Sequence, residues 1–172
     1  QTEPVPLFVS QMSGWSTDLN HNSSVIPIDQ LDAHVRSNGK VILIGPGYPL
    51  PFISDGLHYS SHSERRLGEY FAKVYARTVF EKKAWEPVRP KQVSIAGNVI
   101  TVSFHAPKLP LVFDTTRVTN PGNYGFEYTD ASGAPPAITN VTLTGADTVQ
   151  ITLASTPTGG NKRIRYAYTS VP

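Results

Sequence analysis

The chain has 172 residues, of which 39% are hydrophobic, so it can form one domain or two small domains with packed cores. A net charge of +2 with scattered basic residues argues against a nucleic-acid-binding surface, and the absence of cysteine excludes disulfides and thiolate metal sites. No apolar run approaches membrane-spanning length, so no membrane segment is predicted. Because the sequence begins with Gln1 rather than Met, we expect a processed, excised or incomplete polypeptide.

The first part of the chain has the apolar patterning of an α/β domain. Residues 6–12 and 40–44 are short apolar runs of the kind seen in buried parallel strands. Between them, three apolar residues at helical spacing predict a short helix that ends at Asn38: Ile28, Leu31 and Val35. The order of strand, helix and strand predicts a right-handed crossover in a parallel sheet.

A second, longer helix is predicted after residue 60. Ser61 and Glu64 have the spacing of a capping box. Apolar residues then follow on one helical face, and the pattern extends to about Lys83: Leu67, Tyr70, Phe71, Val74 and Tyr75. Two strands and two helices are too few for a complete α/β domain, so we expect residues 1–86 to be the carboxy-terminal part of such a domain.

Asp55 and His58 lie three residues apart on the loop that leads into this helix. A loop can turn both side chains toward one point, so that the carboxylate accepts the imidazole Nδ1–H and leaves Nε2 free to take a proton from a hydroxyl group. Open α/β sheets place their sites at the carboxyl ends of their strands, where this loop lies. We therefore predict an acid–base pair of a hydrolase, although an Asp-x-x-His sequence also occurs as plain surface chemistry. His62 competes weakly as the base.

Other residues near this loop are candidates for binding a sugar. Aromatic rings stack on the apolar faces of pyranoses, and Trp15, Tyr48 and Tyr59 flank the predicted site, with packing under the loop as the alternative. Gln11 follows the first strand and is either a site residue or a strand-end cap. No clustered partners accompany the remaining histidines, which are His21, His34 and His105. We therefore predict no metal and no cofactor.

Residues 87–172 change to the period-two pattern of β-strands. Six groups of alternating residues are separated by turns that contain Gly, Asn or Pro. This spacing predicts an all-β unit, an immunoglobulin-like or fibronectin-like β-sandwich. The groups are Val93/Ile95, Val99/Thr101/Ser103, Tyr124/Phe126/Tyr128, Val141/Leu143, Val149/Ile151/Leu153 and Ile164/Tyr166/Tyr168.

Several stretches resemble one family of hydrolases. The segment DGLHYS with the helix ERRLGEYFAKVYA resembles the last conserved block of SGNH (GDSL-type) hydrolases, in which Asp-x-x-His supplies two triad members. The stretch PLFVSQMSGW is similar to the preceding strand in sialate O-acetylesterase-like carbohydrate esterases. The stretches VITVSFH, YGFEYTDASG and RIRYAYTSVP resemble the β-domain that follows the catalytic domain there and in phage tailspike deacetylases.

The resemblance implies a carbohydrate O-acetylesterase that works by serine acyl transfer, with Asp55 orienting His58 as general base. The family's serine and its oxyanion-hole glycine and asparagine lie in earlier blocks, so we expect an upstream segment or a partner chain to supply the serine. The expected substrate is an acetylated glycan or polysaccharide, in an extracellular or virion-associated setting. The alternative is a non-catalytic glycan-binding or structural module of a virion fibre or secreted multidomain protein. Formation of a homo-oligomer stays open.

Overall fold

The computed structural model describes residues 5–13 and 25–168. The chain divides into two compact units, and the boundary falls between Pro87 and Val88. The first unit combines helices with a parallel pair of strands, and the second consists of antiparallel strands. The coarse prediction of a mixed α and β unit followed by an all-β unit is therefore confirmed.

The first unit is built on two parallel strands, β1 (Leu7–Gln11) and β2 (Val41–Pro46), with helix α1 (Ile26–Arg36) between them in the chain. Phe8 of β1 lies opposite Ile42 of β2, and both contribute to the core beneath the second helix. The predicted parallel pairing is confirmed. The pairing needs the intervening helix because two parallel strands cannot be joined by a tight turn.

The buried face of α1 differs from the prediction. Ile28 and Val35 are 46% and 50% exposed, whereas His34 of the same helix is buried. The Leu43 backbone N–H donates to His34 Nδ1 at 3.3 Å, and His34 Nε2 lies 3.4 Å from a carboxylate oxygen of Glu86. The helix therefore presents a hydrogen-bonding imidazole to β2, and the apolar spacing alone identified the wrong face.

Helix α2 (Ser61–Tyr75) follows the predicted pattern but begins with a different cap. Ser60, not Ser61, is the N-cap, and its hydroxyl accepts the backbone N–H of Ser63 at 3.2 Å. The expected Ser61–Glu64 capping box is therefore wrong by one residue. The apolar face packs on β2, with Val74 fully buried and the others partly buried: Leu67, Tyr70 and Phe71. The helix ends at Tyr75, before the predicted end near Lys83, and a π-helical turn, Ala76–Phe80, follows it.

The second unit contains six strands in two antiparallel sheets. The four-stranded sheet has the order β3-β4-β7-β6 and the two-stranded sheet pairs β5 with β8. The strands are β3 (Arg89–Ala96), β4 (Val99–His105), β5 (Phe126–Thr129), β6 (Ile138–Leu143), β7 (Thr148–Leu153) and β8 (Arg163–Tyr166). All six predicted strand regions are present.

Side chains from both sheets of the second unit form one hydrophobic core. Phe126 and Tyr128 of β5 pack with Val149 and Ile151 of β7. On β4 the predicted face is wrong, because the buried side chains are Ile100 and Val102 rather than Val99, Thr101 and Ser103. Both faces of this strand contain apolar residues, so alternation did not indicate which one is turned inward.

Candidate acid–base site

The loop after β2 is a narrow hairpin-like segment. Phe52 and Tyr59 pair as an isolated antiparallel bridge, and their rings stack with centroids 4.6 Å apart. The Ile53 N–H donates to the His58 carbonyl at 2.9 Å, and the Gly56 N–H donates to the Ile53 carbonyl at 3.0 Å. Gly56 has a φ of 65°, a left-handed conformation that glycine adopts without strain. These bonds hold Asp55 and His58 at the tip of the loop.

Asp55 and His58 form the expected hydrogen bond. His58 Nδ1 lies 2.7 Å from Asp55 Oδ2. A carboxylate only accepts, so Nδ1 carries the proton and Nε2 of the neutral ring has a free lone pair. The second carboxylate oxygen, Oδ1, accepts the backbone N–H groups of Leu57 at 2.9 Å and His58 at 3.0 Å. One oxygen of Asp55 thus closes the turn while the other orients the imidazole.

These bonds also stabilise the charged form of Asp55. The side-chain hydrogen bond from His58, followed by the backbone N–H groups of His58 and Leu57, lowers the pKa of Asp55 from 3.8 to about 2. Asp55 is consequently ionised at neutral pH and can stabilise an imidazolium that forms on His58. This is the role of the acid in a Ser-His-Asp triad.

The pair is open to solvent. The His58 side chain is 70% exposed and the Asp55 side chain is 43% exposed. None of the hydrogen bonds within the described residues involves His58 Nε2. An exposed ion pair is worth little to stability, so the pair does not explain the fold. It can instead present a basic nitrogen to a hydroxyl group that approaches from outside the loop.

Tyr59 holds the base of the loop against the end of β1. Its hydroxyl lies 3.1 Å from the Ser13 hydroxyl, and its ring is stacked on Phe52. Gly47 lies so close that a Cβ there would meet the Tyr59 hydroxyl and would lie 2.7 Å from Ser13 Oγ. Tyr59, predicted as a sugar-binding ring, therefore also has a packing role beneath the loop.

The other predicted site residues have different surroundings. Gln11 Nε2 donates to the Pro27 carbonyl at 2.8 Å and so ties the end of β1 to the start of α1. Tyr48 is partly buried on the segment that follows β2. Trp15 lies outside the described residues. The structure thus joins Asp55 with His58 and packs Tyr59 beside them, and it gives Gln11 a structural bond.

Three serines that surround the loop have structural hydrogen bonds. Ser60 caps α2, and Ser63, which is fully buried, donates to the Pro51 carbonyl at 2.7 Å. Ser13 bonds to Tyr59. These hydroxyls hold the loop to the helix and to β1, which does not suit them to act as a mobile nucleophile.

The sequence did not reveal a second acid–histidine contact. His34 and Glu86 lie 52 residues apart in the chain and 3.4 Å apart in space, at Nε2 and Oε2. No local spacing could have identified this contact. His34 is buried between α1 and β2, so its position suits a role in packing rather than access to a substrate.

The structure shows neither a clustered metal site nor a membrane span within residues 5–13 and 25–168. No three His, Asp or Glu side chains there are grouped so that they could hold a metal ion, and no helix is long and apolar enough to cross a membrane.

Comparisons with protein-family models, with curated proteins and with solved structures find no significant match for this chain. The function of the acid–base pair must therefore be inferred from its geometry together with the resemblance of its sequence.

Proposed function

We propose that the first unit supplies the acid–base half of a serine esterase that removes O-acetyl groups from a glycan. The observation that supports this proposal is the 2.7 Å hydrogen bond between Asp55 and His58 Nδ1, made by a His58 side chain that is 70% exposed. The SGNH-type hydrolase fold for the first unit and the immunoglobulin-like sandwich for the second are part of the same proposal. The nucleophilic serine lies in a segment or partner chain outside these 172 residues.

The chemistry of the proposed site follows from the free nitrogen. His58 Nε2 takes the proton of the serine hydroxyl as the oxygen attacks the acetyl carbonyl, and the sugar hydroxyl leaves with a proton from the imidazolium. Water then attacks the acetyl-enzyme with His58 again as base, and acetate is released. Asp55 stabilises the imidazolium in both steps. Oxyanion donors, which supply much of the rate, come with the segment that contains the serine.

The proposal is tested with the full-length protein, whose intact mass is measured first. Hydrolysis of p-nitrophenyl acetate is compared between wild type, His58→Ala and Asp55→Asn. We expect losses of about 10²–10⁴-fold in kcat/KM for both variants, since each removes a member of the triad. His62→Ala is the matched control, because it removes an exposed histidine four residues away, and its activity stays within about twofold of wild type.

A fluorophosphonate probe locates the nucleophile independently of turnover. The expected result is one labelled serine in a peptide outside the 172 residues, with labelling that falls in His58→Ala. A labelled serine within the chain contradicts the assigned position of the nucleophile. Full activity in His58→Ala, or no hydrolysis and no labelling in wild type, contradicts the esterase. The last result leaves the non-catalytic glycan-binding module as the better description.

A further inference from the structure

In the second unit, the edge strand β3 of the four-stranded sheet exposes apolar side chains on the face that turns toward the smaller sheet. β3 ends the four-stranded sheet there, and its Val93 and Ile95 lie opposite Val102 and Ile100 of β4. Directly opposed residues of antiparallel strands project from the same face. Ile100 and Val102 are buried in the core between the sheets, yet Val93 and Ile95 are 49% and 44% exposed. The second sheet therefore does not cover the inner face of β3.

The space beside these side chains is a groove between β3 and β8. A cavity of about 150 Å³ is lined by Ile95 and Ile100 on one side and by Tyr128 and Ile164 on the other. A short 3-10 turn, Asn123–Gly125, precedes β5 and contacts β6, at the far side of the four-stranded sheet. β5 thus lies toward β6, and β8 ends the smaller sheet on the side of β3. We call this space the β3–β8 groove.

The shape of the β3–β8 groove suits an extended peptide. This cavity is open to solvent, and Ser94, Lys162 and Arg163 line it beside the apolar residues. Its volume of about 150 Å³ leaves room for one branched apolar side chain. A strand added beside β8 directs every second side chain into the groove, and its backbone bonds give affinity. β3 is a poorer partner, because Pro90 lacks an N–H and the register shifts between Pro90 and Gln92.

The charge around the groove indicates the kind of peptide. Five of the seven Lys and Arg residues in the range 88–168 lie on β3 or on residues 162–166, and these two segments contain no Asp or Glu. They are Arg89, Lys91, Lys162, Arg163 and Arg165. Glu127 lies opposite Arg165 on β5 and offsets part of that charge. A second copy of this chain would bring the same cations to the groove, so like charges oppose self-pairing.

We propose that the β3–β8 groove binds an extended segment of a partner chain in which apolar residues alternate with acidic ones, added as a strand beside β8. The apolar residues enter the groove, while the acidic residues project from the opposite face of the added strand, beside Arg163 and Arg165 of β8. This inference concerns the second unit alone and does not depend on the esterase proposal. It assigns this unit an assembly function.

The test measures the binding of a labelled peptide to the full chain by fluorescence anisotropy. The peptide is a fluorescein-labelled nonapeptide in which valine alternates with glutamate or threonine. Ile95→Glu puts a carboxylate on the wall of the groove, and we expect at least about tenfold weaker binding. Gln92→Glu is the matched control, because it adds the same charge to the outer face of β3, and its affinity stays within about twofold. Ile95 is nearly half exposed, so the variant does not threaten the core.

Charge reversal gives a second readout that does not depend on Ile95. Arg163→Glu weakens binding of the valine–glutamate peptide and strengthens binding of a peptide with lysine in place of glutamate. A peptide with serine in place of valine binds at least about tenfold more weakly, because nothing fills the groove.

Three results overturn the proposal. The first is equal binding of the serine peptide, which indicates attraction to any polyanion, including an acidic polysaccharide. The second is no binding of the valine peptide at millimolar concentration. The third is self-association of the protein that Ile95→Glu abolishes, which makes a second copy the occupant.

Discussion

Gly47 offers the sharpest test of how the loop of the acid–base pair is held. It follows β2, and a Cβ at this position would meet the Tyr59 hydroxyl, with Ser13 Oγ at 2.7 Å and the Gln11 carbonyl at 3.1 Å. Its φ lies outside the left-handed region, so alanine causes no backbone strain. The effect of Gly47→Ala is therefore steric and acts directly on Tyr59, the residue after His58.

The cost can be worked out from these contacts. Moving the Tyr59 hydroxyl breaks its bond to Ser13, which is worth about 0.5–1.5 kcal/mol. The ring is stacked on Phe52 and the Gln11 carbonyl belongs to the backbone of β1, so the added methyl group also overpacks the site by about 1–3 kcal/mol. Alanine also lowers the conformational entropy of the unfolded chain, which stabilises the folded state by about 0.4–1 kcal/mol. We expect a net loss of about 0.5–4 kcal/mol in the free energy of unfolding of the first unit.

Urea unfolding followed by tryptophan fluorescence measures this change. Both tryptophans precede residue 88, so the signal reports the first unit. Gly68→Ala is the matched control: Gly68 lies inside α2, and a Cβ added there would meet nothing within 4 Å, so we expect a gain of about 0.5–1 kcal/mol. Adding Tyr59→Phe to Gly47→Ala removes the closest atom, and the two changes should couple by about 1 kcal/mol.

Two outcomes refute the reasoning. If Gly47→Ala is as stable as wild type, the Tyr59 hydroxyl does not lie against Gly47 as the structure has it. If the double variant equals the sum of its single changes, the loss does not arise from the Tyr59 hydroxyl. A loss with coupling, beside a stabilised Gly68→Ala, supports the contact.

Two further predictions concern titration, and a third concerns one partly buried hydrogen bond. The lowered pKa of Asp55 contributes folding stability that is present above pH 3.8 and is lost as the pH falls through about 2. Carboxyl NMR titration measures this pKa, and Asp55→Asn removes the pH dependence of stability. Burial, together with the hydrogen bond to Asp130, raises the pKa of Tyr128 to about 12. Its contribution to folding stability is therefore present below pH 10 and is lost as the pH rises through about 12. Ultraviolet difference absorbance checks this against Tyr128→Phe. Trp85→Phe removes the 2.9 Å bond from Nε1 to the Leu43 carbonyl and should lower the free energy of unfolding by about 1–3 kcal/mol in urea titrations; an unchanged midpoint contradicts this.

The sequence predicted the elements of the fold better than their orientation. In β7, Val149, Ile151 and Leu153 alternate with polar residues, so the buried face was evident. In β4, apolar residues occupy both faces, and only the partner sheet decides which one is buried. The cap of α2 was ambiguous for a similar reason, because Ser60 and Ser61 are adjacent and only the hydrogen bond to Ser63 distinguishes them.

The same distinction separates the two acid–histidine contacts. Asp55 and His58 are three residues apart, so their hydrogen bond depends on a single turn that local spacing can predict. His34 and Glu86 are brought together by the packing of α1 on β2 and by the return of the chain after α2. Contacts of that kind depend on the whole unit, and no pattern within a short window contains them.

The local character of the Asp55–His58 pair also bears on how it can work. The turn itself fixes the tautomer and direction of the imidazole, so the geometry of the pair does not depend on burial. Its electrostatic strength does depend on burial, because solvent screens an imidazole that is 70% exposed. In the proposed esterase, bound substrate covers the pair, removes that water and strengthens the interaction between imidazolium and carboxylate. In that proposal the loop provides a preorganised base whose catalytic power depends on the surface that covers it.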